Sequence, residues 1–244
     1  MKIYDFEVID RCLFWKEKKI LVVGDLHLGY EEALFGRNSG VPRNQLKDTN
    51  EILRKIFKKT GKVEKIILLG DVKHVFGGIL RQEFEDFEVL IEFFKKNMMK
   101  DGEIIIIRGN HDAILKPMVK NYENVLLVES YFEKKYLFMH GDPRSIKKNY
   151  EIMQKKEVEC LILGHFHPAY VLKDKKSVKK EKYKCFLYGF SKEYSQNVIF
   201  VPSFFPLITG SDIITDLELY TKGMKLVLID ESGKAYDFGN VKSL

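Results

Sequence analysis

The sequence predicts an α/β fold, and three observations carry that reading. Strongly apolar stretches of strand length recur through residues 20–163, most of them ended by Gly. Amphipathic helical segments separate several of them at βαβ spacing. After residue 169 the pattern changes to short apolar runs joined by turn residues, which is antiparallel strand material.

The elements follow in order. Residues 3–15 and 19–23 read as strands, the first partly alternating and the second a continuous apolar run, Ile20-Leu21-Val22-Val23. Such a run is expected to be buried on both faces. Residues 30–43 read as an irregular, partly helical connection, made polar and basic by Arg37, Asn38, Ser39, Gly40 and Arg43, and able to lip a site. Pro42 suits the first turn of the next helix. That helix repeats Leu46, Thr49, Leu53, Ile56 and Phe57 on one face and ends at Thr60-Gly61. Ile66-Ile67-Leu68-Leu69 is the next buried strand. A helix over about 82–99 has Phe84, Phe87, Ile91, Phe94 and Met98 as its core stripe. Asp101-Gly102 then turns the chain into the strand Ile104-Ile105-Ile106-Ile107. A helical piece is expected at 113–120, strands near 125–128 and over 131–139, a Lys-rich helix or loop at 145–156, and a strand at Leu161-Ile162-Leu163. Further strands are expected at 169–172, 185–190, 198–201 and 225–229, building a second sheet against the first. The segment Lys173 to Lys184 holds seven Lys and two acids and reads as a solvated hairpin arm.

The chemistry lies where these strands stop. Val22-Val23-Gly24 leads to Asp25 and His27. Leu68-Leu69-Gly70 leads to Asp71 and, three residues on, His74. The isoleucine strand leads through Arg108-Gly109 to Asn110, His111 and Asp112. Leu137-Phe138-Met139 leads to His140, and Leu161-Ile162-Leu163-Gly164 to His165 and His167. Polar groups on loops held by a packed core are placed for chemistry. Each motif alone has an ordinary explanation as a strand-end acid or a surface histidine. The chain has six His in all, however, and every one falls in such a motif.

The ligand types also agree with one another. One divalent ion can take Asp25, His27, Asp71 and His167. A second can take Asp71, Asn110, His140 and His165, with Asp71 bridging. Both shells are nitrogen and oxygen without thiolate, which suits Mn²⁺ first and Fe²⁺ or Zn²⁺ as well. Two such ions ~3.5–4 Å apart clamp the oxygens of a phosphoryl group. His111 is left over, and with Asp112 beside it is a catalytic candidate for protonating the leaving oxygen.

Bulk properties bound the partners. The 244 residues carry 41 basic and 35 acidic side chains, a net charge of +6, which is compatible with an anionic substrate. Cys12, Cys160 and Cys185 form no CxxC pair, which points to a reducing compartment. No apolar run approaches the ~20 residues of a membrane span, so a soluble, cytoplasmic protein with no membrane contact is expected.

These motifs, in order and over about residues 20–170, resemble the five motifs of calcineurin-like metallophosphoesterases. The resemblance implies a four-layer α/β/β/α sandwich with a dimetal site at the sheet edges and the ligand roles just given. Asp25-Leu26-His27-Leu28-Gly29-Tyr30-Glu31 and His74 are similar to SbcD-type repair nucleases, and more so to small SbcD-related prokaryotic phosphoesterases. Val201-Pro202-Ser203-Phe204-Phe205-Pro206-Leu207-Ile208-Thr209-Gly210 is similar to the C-terminal signature of that group. Phosphatases of the superfamily place a phosphate-gripping Arg where His74 stands, which favours the diesterase branch. Residues 168–244 are too few for the DNA-capping domain of SbcD-type nucleases, so a single domain over 1–244 is expected. Relatives are often homodimers, although the sequence shows no interface signature. The resemblance implies a phosphodiester substrate, and the absence of room for a cap makes single-stranded nucleic acid the expected form; His74, and Arg37 and Arg43 from the basic connection, are expected on the substrate side. A small-molecule phosphatase, a cyclic-nucleotide phosphodiesterase and a non-catalytic binding module stay open as alternatives.

Overall fold

A strand with apolar residues on both faces needs cover on both, and the ligand-bearing strands have it. In the computed structural model, which describes residues 1–36, 42–173, 180–207 and 210–241, these strands lie in two stacked sheets. The first sheet begins as a meander of β1 (Lys2–Ile3), β2 (Phe6–Ile9), β3 (Cys12–Trp15) and β4 (Ile20–Val23). After α1 (Tyr30–Phe35) and α2 (Gln45–Thr60) come β5 (Val63–Leu68), α3 (Arg81–Asn97), β6 (Met98–Ile107), α4 (Lys116–Val119) and β7 (Val125–Val128). Strands β4 to β7 pair in parallel, so their C-terminal ends share one edge.

The second sheet is built from β8 (Ser130–Glu133), β9 (Tyr136–Met139), β10 (Cys160–Leu163), β11 (Pro168–Lys173), β12 (Lys180–Ser191), β13 (Gln196–Phe200), β14 (Ser211–Asp212), β15 (Lys225–Ile229) and β16 (Ala235–Asn240). Its helices are α5 (Pro143–Met153) and α6 (Glu218–Thr221). At its centre β9, β10 and β13 run parallel.

Alternation along each strand divides the interior into three layers of contact. Leu21, Val23, Ile66, Leu68, Ile104 and Ile106 face α2 and α3, packing with Leu53, Ile56, Phe57, Phe87, Leu90, Ile91 and Phe94. Their neighbours Ile20, Val22, Ile67, Ile105 and Ile107 face the other sheet and meet Tyr136, Phe138, Ile162 and Ile199. On the far side Leu137, Met139, Leu161, Leu163 and Phe200 pack with Met153 of α5 and, beyond it, Tyr220 of α6. This is the α/β/β/α sandwich. Full burial of each such side chain is worth roughly 1.5–3 kcal/mol, and the layered core holds the sheet edges that carry the site.

The structure differs from the sequence expectation at several points, among them Met98 and Asp101-Gly102, which lie within β6 and not on a helix or in a turn. Residues 131–139 form a hairpin, β8 and β9, instead of one strand. The turn uses Lys134 at φ 56°, a left-handed position without the Gly or Asn that would announce it. Phe84 is 37% exposed. The first turn of α3 faces amides that need acceptors, Glu32 N for Gln82 and those of His74, Val75 and Leu80 for Glu83, so these two polar residues are buried there instead. The helix expected over 113–120 is limited to α4. Strand β16, paired only with β15 and interrupted by Asp237, Gly239 and Asn240, has no continuous apolar run to announce it.

Arg37 and residues 174–179, which include Lys175, Lys176 and Lys179, lie outside the described residues. The flanks of that segment pair as an antiparallel arm, Lys173 opposite Lys180 and Ala169 opposite Lys184. No described helix is long and apolar enough to cross a membrane. Cys12, Cys160 and Cys185 are free and buried.

Candidate metal centre

Parallel pairing brings the ends of β4, β5 and β6 to one edge of the first sheet, and those of β9 and β10 to one edge of the second. The two edges meet. His140, after β9, donates from Nδ1 to Leu69 O at 2.8 Å. The amide of His165, after β10, donates to Asp25 Oδ1 at 3.1 Å.

Two mixed clusters result. The ligand atoms of Asp25, His27 and His167 all lie within 4.8 Å of one another, as do those of Asp71, His140 and His165. Asn110 joins the second cluster, its Oδ1 2.9 Å from His140 Nε2. Asp71 Oδ2 stands 3.3 Å from the same nitrogen. His27, His74 and His111 form a third group beside these, again within 4.8 Å.

The local backbone is unusual. His27, Asp71, His165 and His167 take left-handed φ values of 47°, 47°, 62° and 45°. Non-glycine residues hold such angles only where the surroundings over-determine them, and these positions cluster at functional sites. Close approach also explains the glycine before Asn110. A Cβ on Gly109 would stand 2.2 Å from Asp71 Oδ1. The ends of β5 and β6 meet at this ligand only because that side chain is missing.

Protonation suits metal ligands. Burial opposes charge on Asp25, but the imidazoles of His167, His140 and His27 outweigh it and hold the carboxyl well below its usual range. Asp71 is likewise lowered, burial being outweighed chiefly by His140. Burial pushes His27 down to about 3, and burial also lowers His74 and His165. His140 goes the other way. Burial disfavours its charge, yet the Asp71 hydrogen bond and the Asp25 and Asp71 charges raise it to about 9. Its Nδ1 must carry a proton, because Leu69 O can only accept. That leaves Nε2, the atom facing Asp71 and Asn110, as the coordinating position.

The donors fit divalent cations on a further count. Nε2 of His27 and Nε2 of His167 are buried without a hydrogen-bond partner. The latter is 3.2 Å from Asp25 Oδ1 but not aligned for a hydrogen bond. Each such orphan costs ~1–3 kcal/mol. Two of them beside a buried carboxylate are accounted for by a cation that accepts both lone pairs.

The remaining predicted residues are distributed as follows. His111 donates from its backbone N to Asp71 Oδ1 at 2.9 Å and from its ring Nδ1 to His74 O. Its Nε2 lies 3.7 Å from Asp71 Oδ2. Asp112 does not contact the His111 ring as a catalytic partner would. Its fully buried carboxylate accepts from Val72 N at 3.1 Å, Lys73 N at 3.3 Å and Gly109 N at 3.0 Å. It therefore ties the Asp71 loop to the Asn110 loop. Burial, with the Asp71 charge, pushes its carboxyl up to about 6. His74 is half-buried, its Nδ1 3.5 Å from His27 Nδ1. The guanidinium of Arg43 pairs with Glu32 at 3.6 Å and Glu85 at 3.5 Å.

Several braces gave no distance-local signal in the sequence. Glu83 accepts from His74 N, Val75 N and Leu80 N at 2.9, 2.7 and 2.7 Å, fixing the His74 loop. Its position three residues after Leu80 is that of a carboxylate returning to a helix start, the one available hint. Gln45 Nε2 donates to His27 O at 2.7 Å. Ser203 Oγ and Phe204 N donate to Asp25 O at 3.1 and 2.9 Å, and Lys184 Nζ holds Ser203 O at 2.7 Å.

With this geometry in hand, the model of the calcineurin-like phosphoesterase family matches residues 18–227. The chain belongs to the calcineurin-like phosphoesterase family. Membership implies a metal-dependent hydrolase with a dimetal centre. No curated protein matches the chain in sequence. Among solved structures, the Pseudomonas putida nuclease MPE is similar at 19% identity and a TM-score of 0.62, over 94% of this chain and 92% of that one. It shares the fold of this phosphoesterase. A double mutant of Vps29 from Entamoeba histolytica aligns at 14% identity and a TM-score of 0.35, over 90% and 99% of the two chains. A predicted phosphoesterase from Streptococcus pneumoniae TIGR4 aligns at 14% and 0.34, over 91% and 97%.

Proposed function

We propose that this phosphoesterase is a dimetal phosphodiesterase acting on nucleic acid, in the manner of the SbcD-related group. The observation that carries the reading is the pair of adjoining clusters, Asp25–His27–His167 and Asp71–His140–His165, with the His111 imidazole beside Asp71. Asp25, His27 and His167 would hold one ion, and Asn110, His140 and His165 the other, with Asp71 shared. Mn²⁺ is the first choice, ahead of Fe²⁺ and Zn²⁺. When bound, the ions supply Lewis acidity toward a phosphoryl group and acidify water.

The chain's own groups do the rest. His111, with Nδ1 on His74 O, presents Nε2 as proton donor to the leaving oxygen. Asp112 acts as a positioning residue that keeps Asp71 and Asn110 in register. His74 takes a phosphate oxygen. A neutral imidazole there offers less to a dianionic monoester than a guanidinium would, and this favours diesters. Asp25, His27, Asp71 and His140 are all recessed, none more than 3% exposed. A phosphate must stand clear of its neighbours to reach them, as it does in a single strand or a frayed end. Homodimer formation is compatible with this reading and is not needed by it.

The test is kcat/KM with Mn²⁺ on bis- and mono-nitrophenyl phosphate, then on matched single- and double-stranded oligonucleotides. The diester and the single strand are expected to be preferred. Monoester preference without oligonucleotide cleavage would replace this reading with a small-molecule phosphatase.

A further inference from the structure

Phe76 is a large aromatic left 61% exposed two residues beyond His74. Its ring lies against the His111 imidazole, with centroids 3.6 Å apart and planes at 35°. On the inner side His111 is near-parallel to His74 at 5.7 Å and 27°, and Tyr30 packs on His74 with centroids 5.0 Å apart. The rings thus form a run beside the metal clusters, Tyr30, His74 and His111 partly buried and Phe76 exposed. The two residues that follow it, Gly77 and Gly78, carry no side chain that could cover it. A solitary exposed apolar side chain is ordinary on a protein surface. This one is set apart by its partner, the imidazole assigned to the leaving oxygen.

We propose that Phe76 is a stacking platform for a nucleobase flanking the scissile phosphate. The proposal rests on the phosphodiesterase reading and adds to it the chemistry of the substrate's neighbouring group. One face of the phenyl ring is occupied by His111, and the rest of the side chain stands open at the mouth of the site. The base of a nucleoside attached to the bound phosphate is the group that would reach it. Such stacking contributes to binding without selecting sequence, because every base has a π-face. Tyr30 and His74 are partly buried and act as backing for the ring run.

The experiment measures binding, so it does not depend on turnover. Thymidine 5′-phosphate and 1,2-dideoxyribose 5-phosphate share a closed sugar and its phosphate and differ in the base, replaced by hydrogen in the second. Calorimetric titration of the Mn²⁺-loaded protein with each is expected to give about tenfold tighter binding of the nucleotide, within the range found for stacking of one base on an aromatic side chain. In Phe76→Ala, with metal content matched to wild type, that ratio should collapse to about twofold or less, and in Phe76→Trp it should be kept. Equal affinities in the wild type, or a parallel loss of both ligands in Phe76→Ala, would overturn the platform. Tighter binding of a 5′-phosphorylated oligothymidylate than of the mononucleotide supports a strand as the source of the base; equal affinities overturn that source in favour of a mononucleotide. Base-dependent binding without hydrolysis of any diester would retire the phosphodiesterase reading and leave the platform standing. Hydrolysis without a base advantage would do the reverse.

Discussion

The carboxylate of Asp71 accepts the backbone amide of His111 at 2.9 Å. A residue proposed to serve both ions is therefore held by the backbone of the proposed proton donor, and the ends of β5 and β6 are tied together. The same carboxylate faces His140 Nε2 at 3.3 Å, so it also joins the two sheets.

That position makes Asp71 the ligand whose loss should cost most. Asp71→Asn removes the charge proposed to serve both ions, whereas Asn110→Ala removes one neutral oxygen. Metal analysis of purified variants should find both ions depleted in Asp71→Asn and one largely kept in Asn110→Ala. Metal added to wild type should raise Tm, by a free energy of ~4 kcal/mol at a thousandfold excess over Kd, and Asp71→Asn should lose most of that gain. Two retained ions and full turnover in Asp71→Asn would sink the shared-ligand assignment.

His111→Ala should keep its metals and lose turnover, because positioned proton donation typically contributes ~10²–10⁴-fold. A nitrophenolate leaves with little help, so nitrophenyl diesters should suffer less than alkyl diesters. Equal losses on the two substrates would point to phosphate binding as the role of His111.

Asp112→Ala should act through structure. It strips three buried amides, those of Val72, Lys73 and Gly109, of their acceptor. At ~1–3 kcal/mol for each unsatisfied group, the loss is ~3 kcal/mol or more, readable in urea unfolding. Metal content should fall with stability, and the pH profile of any residual activity should keep the wild-type shape. A changed profile with unchanged stability would return Asp112 to the catalytic role that its neighbour His111 suggested.

Asp112 also shows how far the sequence could be read. The strands and the ligand types were readable because they are local: Ile104–Ile107 announces burial on both faces, and Asp25 and His27 follow a strand end directly. What Asp112 does depends on Val72, 40 residues away, and no spacing rule reaches that far. The ion pairs of Arg43 were out of reach for the same reason, since its partners Glu32 and Glu85 belong to different helices. Phe76 gave no signal either, because an aromatic beside Gly77 reads as loop until His111 is seen beneath it.

The last prediction concerns Asp86, away from the clusters on α3. Burial pushes its carboxyl from the usual 3.8 up to about 6. The Gln82 hydrogen bond and Arg43 oppose the shift, and Glu31 and Glu85 add to it. Its Oδ2 is buried without a partner. A carboxyl with a raised folded-state pKa binds more protons folded than unfolded between about pH 4 and 6. Its contribution to stability therefore falls as pH rises through that window. Above about pH 6 the deficit is complete, at up to ~3 kcal/mol for a shift of this size. Asp86→Asn keeps the shape and removes the ionisation. The variant should match wild type near pH 4, gain on it steadily to about pH 6, and hold a constant advantage of ~2–3 kcal/mol at higher pH. Urea unfolding of both proteins across pH 4–8 reads the difference directly. A difference that does not change with pH would show that Asp86 is ionised in the fold at all these values, with Arg43 and Gln82 outweighing its burial.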